Sequence, residues 1–360
     1  MLTFRSLKAT PVLVPMARPL GTSAATISSA ALLLIEIETQ EGISGRGYAF
    51  CYLPSIALAL VPLASELEVV LRSVPLAPLD ISARVARHFR LPGLVGPLAM
   101  LASAVDTAMW DACAIAADTS LCEYLGTEPK RIPAYNSNGL GLMSPEAAAE
   151  EAEVLLDRGF RAIKLRLGRP DFADDLVTVR AVRRRLPEHV ALMIDFNQAL
   201  SYAEALRRCA ALDGEGIYWI EEPIRHDDYR HTALLAQATA APIQIGENFM
   251  GLPPMVAALE AAASDYVMVD LDRIGGVSGW QQAAGLAAAH NRELSSHLFP
   301  EVSAHLLSAT PTRHWLEYVD WAEPILEKPL QIVDGMAIPS TGPGNGLRWN
   351  KDAVARFQLD

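Results

Sequence analysis

From residue 164 onward this chain carries, at intervals of 20 to 29 residues, the side chains that acid–base and metal chemistry need. They are Lys164 with Arg166, Asp195 with Asn197, Glu221, Glu247, Asp270, His297 and Glu317, and each stands at the end of a short apolar run. Asp195, Glu221 and Glu247 offer hard oxygen ligands with no His or Cys among them, a set that suits Mg²⁺ rather than zinc. Brought to one place, three carboxylates repel unless a cation lies between them. Asp270 and His297 pair a carboxylate with an imidazole, and a carboxylate that holds one tautomer is the usual partner of a catalytic base. Lys164 and Arg166, two residues apart on a strand, project to one face. Adjacent cations lower each other's proton affinity, which brings a lysine into a useful range. Arginine, with a pKa of about 12 or above, is a poor base but a good carboxylate clamp. Two plainer roles stand beside these: a strand-end carboxylate can cap the next helix, and Lys164 can pair with the metal-type carboxylates. Glu222 alternates to the face opposite Glu221 and is expected to pair with a basic residue outside the site.

These groups need a scaffold that gathers strand ends. Eight apolar runs read as strands: Ile132–Asn136, Ala162–Leu167, Val190–Phe196, Ile217–Ile220, Pro242–Ile245, Tyr266–Val269, Glu293–Ser296 and Trp315–Tyr318. Between them, stretches such as Asp171–Leu186, Tyr202–Leu212, Pro253–Ala263 and Val277–Asn291 have helical spacing. Alternating strands and helices build a closed α/β barrel, whose site lies at the C-terminal strand ends. Residues 1–127 differ, with strand-like Ala31–Thr39 and Ser44–Cys51 and a helical tract from Leu98 to Leu125 stopped by Gly126. The expected organisation is an α+β domain over 1–127, a barrel over 128–338, and a tail over 339–360 that returns to the first domain.

A net charge of −12 leaves no basic footprint for nucleic acid or an anionic membrane. Four scattered cysteines form neither a disulfide framework nor a metal knuckle and suit a reducing compartment. The longest uncharged run, Gly47–Ser65, is interrupted by Pro54 and Pro62, and the start lacks a secretory pattern. The expected location is the cytoplasm, with no membrane partner.

On these residues the chain resembles the enolase superfamily and, within it, the mandelate racemase subgroup. The resemblance spans the chain: GFRAIKLRLG (159–168), MIDFNQ (193–198), WIEEP (219–223), IGEN (245–248), DLDRIGGVSGW (270–280) and SSHLFPEVSAHLLSATPTRHWLE (295–317), with AVDTAMWDACA (104–114) and PGNGL (343–347) outside the barrel. It implies an N-terminal α+β capping domain on a modified TIM barrel, (β/α)₇β, with Mg²⁺ held by Asp195, Glu221 and Glu247. Sites of that superfamily use a Lys or His base with Mg²⁺. By carry-over, His297 with Asp270 removes the proton next to a substrate carboxylate to give a metal-stabilised enediolate. Glu317 hydrogen-bonds that carboxylate as electrophile, and Ser137 and Lys164 help hold it. Asn197 is a further substrate contact. Arg18–Ala30 resembles the family's mobile capping loop, and with Tyr52 and Leu298 it would shape the specificity pocket. Related enzymes commonly form symmetric dimers to octamers.

One position departs from the pattern. Mandelate racemase-like enzymes carry K-x-K where this chain has Lys164-Leu165-Arg166. Three readings stand: His297 acts alone in a dehydration or isomerisation, Lys164 becomes the second base of a racemisation, or Arg166 serves as base in a shielded site. The loop and Tyr52, Leu298 and Phe299 favour a small 2-hydroxy acid with an apolar substituent over an acid sugar. A barrel that keeps only ligand binding is the alternative from another class. A zinc hydrolase lacks support, since the sequence has no His-x-His pair.

Overall fold

The computed structural model describes residues 2–23 and 25–359. The chain opens with an antiparallel sheet of β1 (Phe4–Gly21), β2 (Thr26–Thr39) and β3 (Ser44–Phe50) in that order. β1 escapes the sequence reading because Pro11 and Pro15 interrupt it; as an edge strand it tolerates residues that cannot donate to a ladder. The central β2 is apolar on both faces. Leu32 and Leu34 join the core shared with the barrel, while Leu33, Ile35 and Ile37 join a separate core under the cap helices.

Those helices are α1 (Pro54–Leu71), α2 (Pro78–His88) and α3 (Gly96–Ala116). α3 lies close on β3 because Gly45 and Gly47 face it: a Cβ there would meet the carbonyl oxygens of Ala108 at 2.0 Å and Ala104 at 2.4 Å. The expected continuous helix to Leu125 is instead broken after Ala116, with Asp118 left-handed at φ 55. A short α4 (Leu121–Tyr124) restarts behind the Ser120–Glu123 capping box, and Gly126, at φ 91, follows it. α1 and α3 are each long and apolar enough to cross a bilayer by length and composition. α3 is mostly buried, and α1 packs Ala57, Leu60, Ala64, Leu67 and Leu71 inward.

The barrel alternates β4 (Ile132–Asn136), α5 (Pro145–Val154), β5 (Ala162–Arg166), α6 (Phe172–Arg185), β6 (Ala191–Asp195), α7 (Tyr202–Leu212), β7 (Ile217–Glu221), α8 (Tyr229–Ala238), β8 (Ile243–Ile245), α9 (Leu252–Glu260), β9 (Tyr266–Asp270), α10 (Leu271–Ile274), α11 (Gly276–Ala289), β10 (Leu294–His297), α12 (Pro300–Ala309) and β11 (Leu316–Tyr318). β4 to β10 pair in parallel in chain order, and β11 pairs with β4. Hydrogen bonds from Ser296 N to Trp315 O and His314 N to Leu294 O close the ring against β10. The fold is a (β/α)₇β modified TIM barrel under an α+β cap. Side-chain N-caps start several crossover helices, with Ser144 on α5, Asp171 on α6, Ser201 on α7 and Asp228 on α8. After β11, the hairpin β12 (Gln331–Val333) and β13 (Met336–Ile338) pairs with β4, and α13 (Lys351–Phe357) leads Gln358 to a bridge with Val12 of β1.

Candidate active site

At the C-terminal ends of the barrel strands the backbone repeatedly turns left-handed. Asn197 and Gln198 after β6, Glu222 after β7, and Leu298 and Phe299 after β10 all have positive φ. For bulky residues this conformation is uncommon, and it clusters where a framework holds functional groups in place. The turn after His297 points the Leu298 N–H at Glu317 Oε2, 2.9 Å away.

Asp195, Glu221 and Glu247 converge, each offering an oxygen within 4.8 Å of the others, and all three are buried. A set of three carboxylate oxygens, with no nitrogen or sulfur donor among them, fits Mg²⁺, which takes oxygen ligands at about 2.1 Å. Trp219 Nε1 and Gln244 Nε2 hold Glu221 Oε2 from behind at 3.1 and 3.3 Å. Asn197 donates twice to Asp195, while its own Oδ1 is buried without a partner.

Lys164 Nζ lies 2.7 Å from Glu221, 2.9 Å from Glu317 and 3.3 Å from Asp195. Burial alone would lower its proton affinity, but these carboxylates outweigh burial and hold the ammonium well above its ordinary pKa. The expected depression by Arg166 is thus reversed in this arrangement. Burial and the Asp195, Glu317 and Glu247 charges push Glu221 up to about 8 against the pull of Lys164. Glu317 goes the other way: burial favours its neutral form, but Lys164 and His297 hold it well below the carboxylate range.

His297 Nδ1 stands 2.6 Å from Asp270 Oδ2, and its Nε2 faces Glu247 at 3.3 Å and Glu317 at 3.9 Å. Burial lowers the imidazole pKa, and Glu247, Glu317 and Asp270 together raise it to about 9. Arg166 lies in register with Asp195 of the neighbouring strand, and its guanidinium is hydrogen-bonded to Ser137 and Gly139. Ser137 is buried at the end of β4.

Residues 5–126 match the mandelate racemase / muconate lactonizing enzyme N-terminal domain, and residues 147–353 the enolase C-terminal domain-like family. The chain belongs to the mandelate racemase / muconate lactonizing enzyme family. It is 29% identical to the L-talarate/galactarate dehydratase of Salmonella typhimurium over 92% of this chain and 84% of that one. An enolase from alpha pretobacterium bal199 with bound Mg superposes with a TM-score of 0.97 at 45% identity, covering all of both chains. A Bradyrhizobium enolase complexed with magnesium and mandelic acid gives a TM-score of 0.95 at 38% identity, over 100% of this chain and 99% of that one.

In this member of the family the cap closes on the barrel mouth. The segment Arg18–Ala30, expected as a loop, is mostly the β1–β2 hairpin; its residue 24 lies outside the described residues. Near its tip the Gly21 carbonyl accepts from Leu142 N at 3.1 Å, and Ser23 Oγ donates to Phe196 O at 3.2 Å. Arg18 faces Glu151 at 3.5 Å. Glu222 corrects the sequence reading. It is buried with a raised pKa, burial being the main cause, and accepts from the Asn248 amide at 2.8 Å rather than from a basic residue. Sequence reasoning also passed over Arg273. This guanidinium donates to Glu247 O at 3.0 Å, Asn248 Oδ1 at 2.6 Å and the Tyr52 hydroxyl at 2.7 Å, tying cap to metal-type ligand. A cation three residues beyond Asp270 was its only signal.

Proposed function

We propose that this chain removes the α-proton of a 2-hydroxy carboxylate with His297 as its single base, leading to dehydration, or to exchange and isomerisation where no leaving group is present. The observation that carries this reading is the held imidazole: Asp270 fixes Nδ1, and Nε2 is left at the edge of the carboxylate triad. Lys164 is tied into three ion pairs and Arg166 into three hydrogen bonds. Neither is arranged to cycle a proton, so racemisation through a second base is the weaker reading. Asp195, Glu221 and Glu247 would hold Mg²⁺, in keeping with the magnesium of the two solved relatives. When bound, that ion supplies the positive charge that makes the carbon next to a carboxylate acidic enough at neutral pH.

His297 Nε2 takes the proton, and Asp270 stabilises the imidazolium that results. Lys164 and Glu317 stand beside the carboxylate that becomes an enediolate, and Asn197 Oδ1, lacking a partner, accepts from the 2-hydroxyl. In a dehydration the imidazolium returns its proton to the departing 3-hydroxyl as water, and the enol left behind becomes a 2-keto acid. Tyr52, held by Arg273, and Leu298, next to His297, would contact the substituent. The mandelic acid of one relative favours a small aromatic or apolar acid, and the dehydratase relative favours an acid sugar as the alternative substrate. A barrel that only binds its ligand would keep the triad but has no need of the Asp270–His297 pair. Four free cysteines support a reducing, cytoplasmic setting, and assembly as a homo-oligomer belongs to the same proposal.

The test is proton NMR of the Mg²⁺-loaded protein in D₂O with a panel of 2-hydroxy and sugar acids. A 2-keto acid, or α-proton washout with retained configuration, supports one-base chemistry. Washout with racemisation assigns a second base, and no exchange with any acid defeats the proposal for those substrates.

A further inference from the structure

Outside the active site, a pocket of about 160 Å³ opens between the cap helices and the barrel. Leu67 of α1, Ile81 and Val85 of α2 and Met109 of α3 wall it on the cap side, and Met250 walls it on the barrel side. An apolar cavity of about 150 Å³ holds one benzene ring. This pocket therefore has the size and the lining for a single ring.

One charged group is set into that lining. Asp106, on α3, faces the pocket and is 3% exposed. Its Oδ1 accepts from Ser82 Oγ at 3.1 Å and Ser278 Oγ at 2.6 Å, and its Oδ2 from Ser278 N at 2.9 Å. Ser82 lines the pocket too, which places Oδ1 on that side, whereas Oδ2 packs on Gly276, where a Cβ would stand 2.5 Å away. Among the described residues no Lys, Arg or His nitrogen comes within 4.0 Å of this carboxylate. Arg273 shares the pocket wall, but its guanidinium is spent on Glu247 O, Asn248 Oδ1 and the Tyr52 hydroxyl. Burial pushes the Asp106 carboxyl up to about 6, so at pH 8 it is ionised and has no counter-ion. Neutral donors orient a carboxylate but do not offset its charge, and a buried charge without a partner carries a heavy desolvation penalty. A cation attached to an apolar ring answers both features of the pocket.

We propose that this pocket binds a small primary amine carrying one aromatic ring, with the ammonium paired to Asp106 and the ring in the apolar end. The ammonium brings the positive charge and the N–H donors that the carboxylate lacks. Its occupant touches both domains, so binding braces the cap against the barrel beside Arg273, the residue that holds Tyr52. The site does not depend on the α-proton chemistry.

The experiment is calorimetric titration of the Mg²⁺-loaded protein at pH 8 with benzylamine and benzyl alcohol, which share the ring and differ in charge. Benzylamine should bind about tenfold or more tighter than the alcohol, the scale of a charge-assisted pair. Asp106→Asn keeps the size of the side chain and removes its charge, and it should bring benzylamine down to the affinity of the alcohol. Ala102→Phe, on the pocket wall, fills the space with Asp106 left in place and should abolish binding of both. Benzylamine should also raise the melting temperature of the wild type but not that of Ala102→Phe. Melts without ligand check that each variant is folded, and Ala102→Phe carries the test should Asp106→Asn fail to fold. Benzylamine binding that survives either substitution undiminished, equal affinity for amine and alcohol in the wild type, or no binding of either compound overturns the proposal.

Discussion

Asp270 Oδ2 stands 2.6 Å from His297 Nδ1 while the other oxygen of the same carboxylate caps α10, accepting from the backbone of Asp272 at 2.8 Å and Arg273 at 3.0 Å. One residue thus performs both roles open to a strand-end carboxylate, the helix cap and the partner of the base. Asp270→Asn can keep one of these but not both, because its amide presents a donor to whichever side it faces. The α-proton exchange rate is expected to fall by about 10²–10⁴-fold, the span of general-base contributions. His297→Asn should abolish exchange while Mg²⁺ binds it at pH 8 at least as tightly as the wild type, because the protonated imidazole no longer opposes the metal. Exchange at the wild-type rate in Asp270→Asn would remove the pair from the mechanism.

The carboxylates around His297 make its charge state depend on the metal. Without Mg²⁺ the imidazole sits at about 9 and Glu221 at about 8, so at pH 8 His297 is mostly protonated and Glu221 about half protonated. A cation held by Glu247 and Glu221 favours the deprotonated form of both groups. Mg²⁺ added in weak buffer at pH 8 is therefore expected to release protons, on the order of one per site, and His297→Asn should release fewer. Uptake of protons, or no pH change on saturation, contradicts this arrangement.

Lys164 offsets the charge of the triad, and Lys164→Met removes that offset from a buried cluster of like charges. Breaking buried ion pairs by deleting one partner costs about 3–5 kcal/mol, so the metal-free variant should melt well below the wild type. Mg²⁺ should then restore more stability to the variant than to the wild type, because it replaces a missing counter-charge. Melting curves with and without Mg²⁺ test this, and equal metal-induced shifts in the two proteins would refute it.

How much of this was legible in the sequence follows from what each element needs. The barrel strands are short apolar runs punctuated by charged ends, and the positions of Lys164, Asp195, Glu221, Glu247, Asp270, His297 and Glu317 could be read from that punctuation alone. β1 was hidden because its prolines are permitted only by its edge position, a tertiary fact. α1 was obscured by Pro62, which lies inside the helix. The environments of the site residues were less legible than their positions. That Lys164 would be held by three carboxylates, that Glu222 would meet an amide, and that Arg273 would reach Tyr52 across the domain boundary all depend on distances that spacing along a strand does not encode.

Where the hairpin tip meets the loop after β4, the backbones of two glycines make the close approach. A Cβ built on Gly141 would meet Gly21 backbone atoms at 2.6 to 2.8 Å, and nothing flexible is there to give way. Gly141 has no positive φ, so Gly141→Ala tests the close approach without backbone strain. Pushing the hairpin tip off this loop breaks the 3.1 Å bond from Leu142 N to Gly21 O and opens the substrate space to water. The variant is expected to be cleaved near the hairpin tip several-fold faster in limited proteolysis, and to raise KM by about tenfold with a smaller change in kcat, while its melting temperature stays near the wild-type value because few core contacts are lost. Unchanged cleavage and unchanged KM would show that the tip does not take part in holding the substrate.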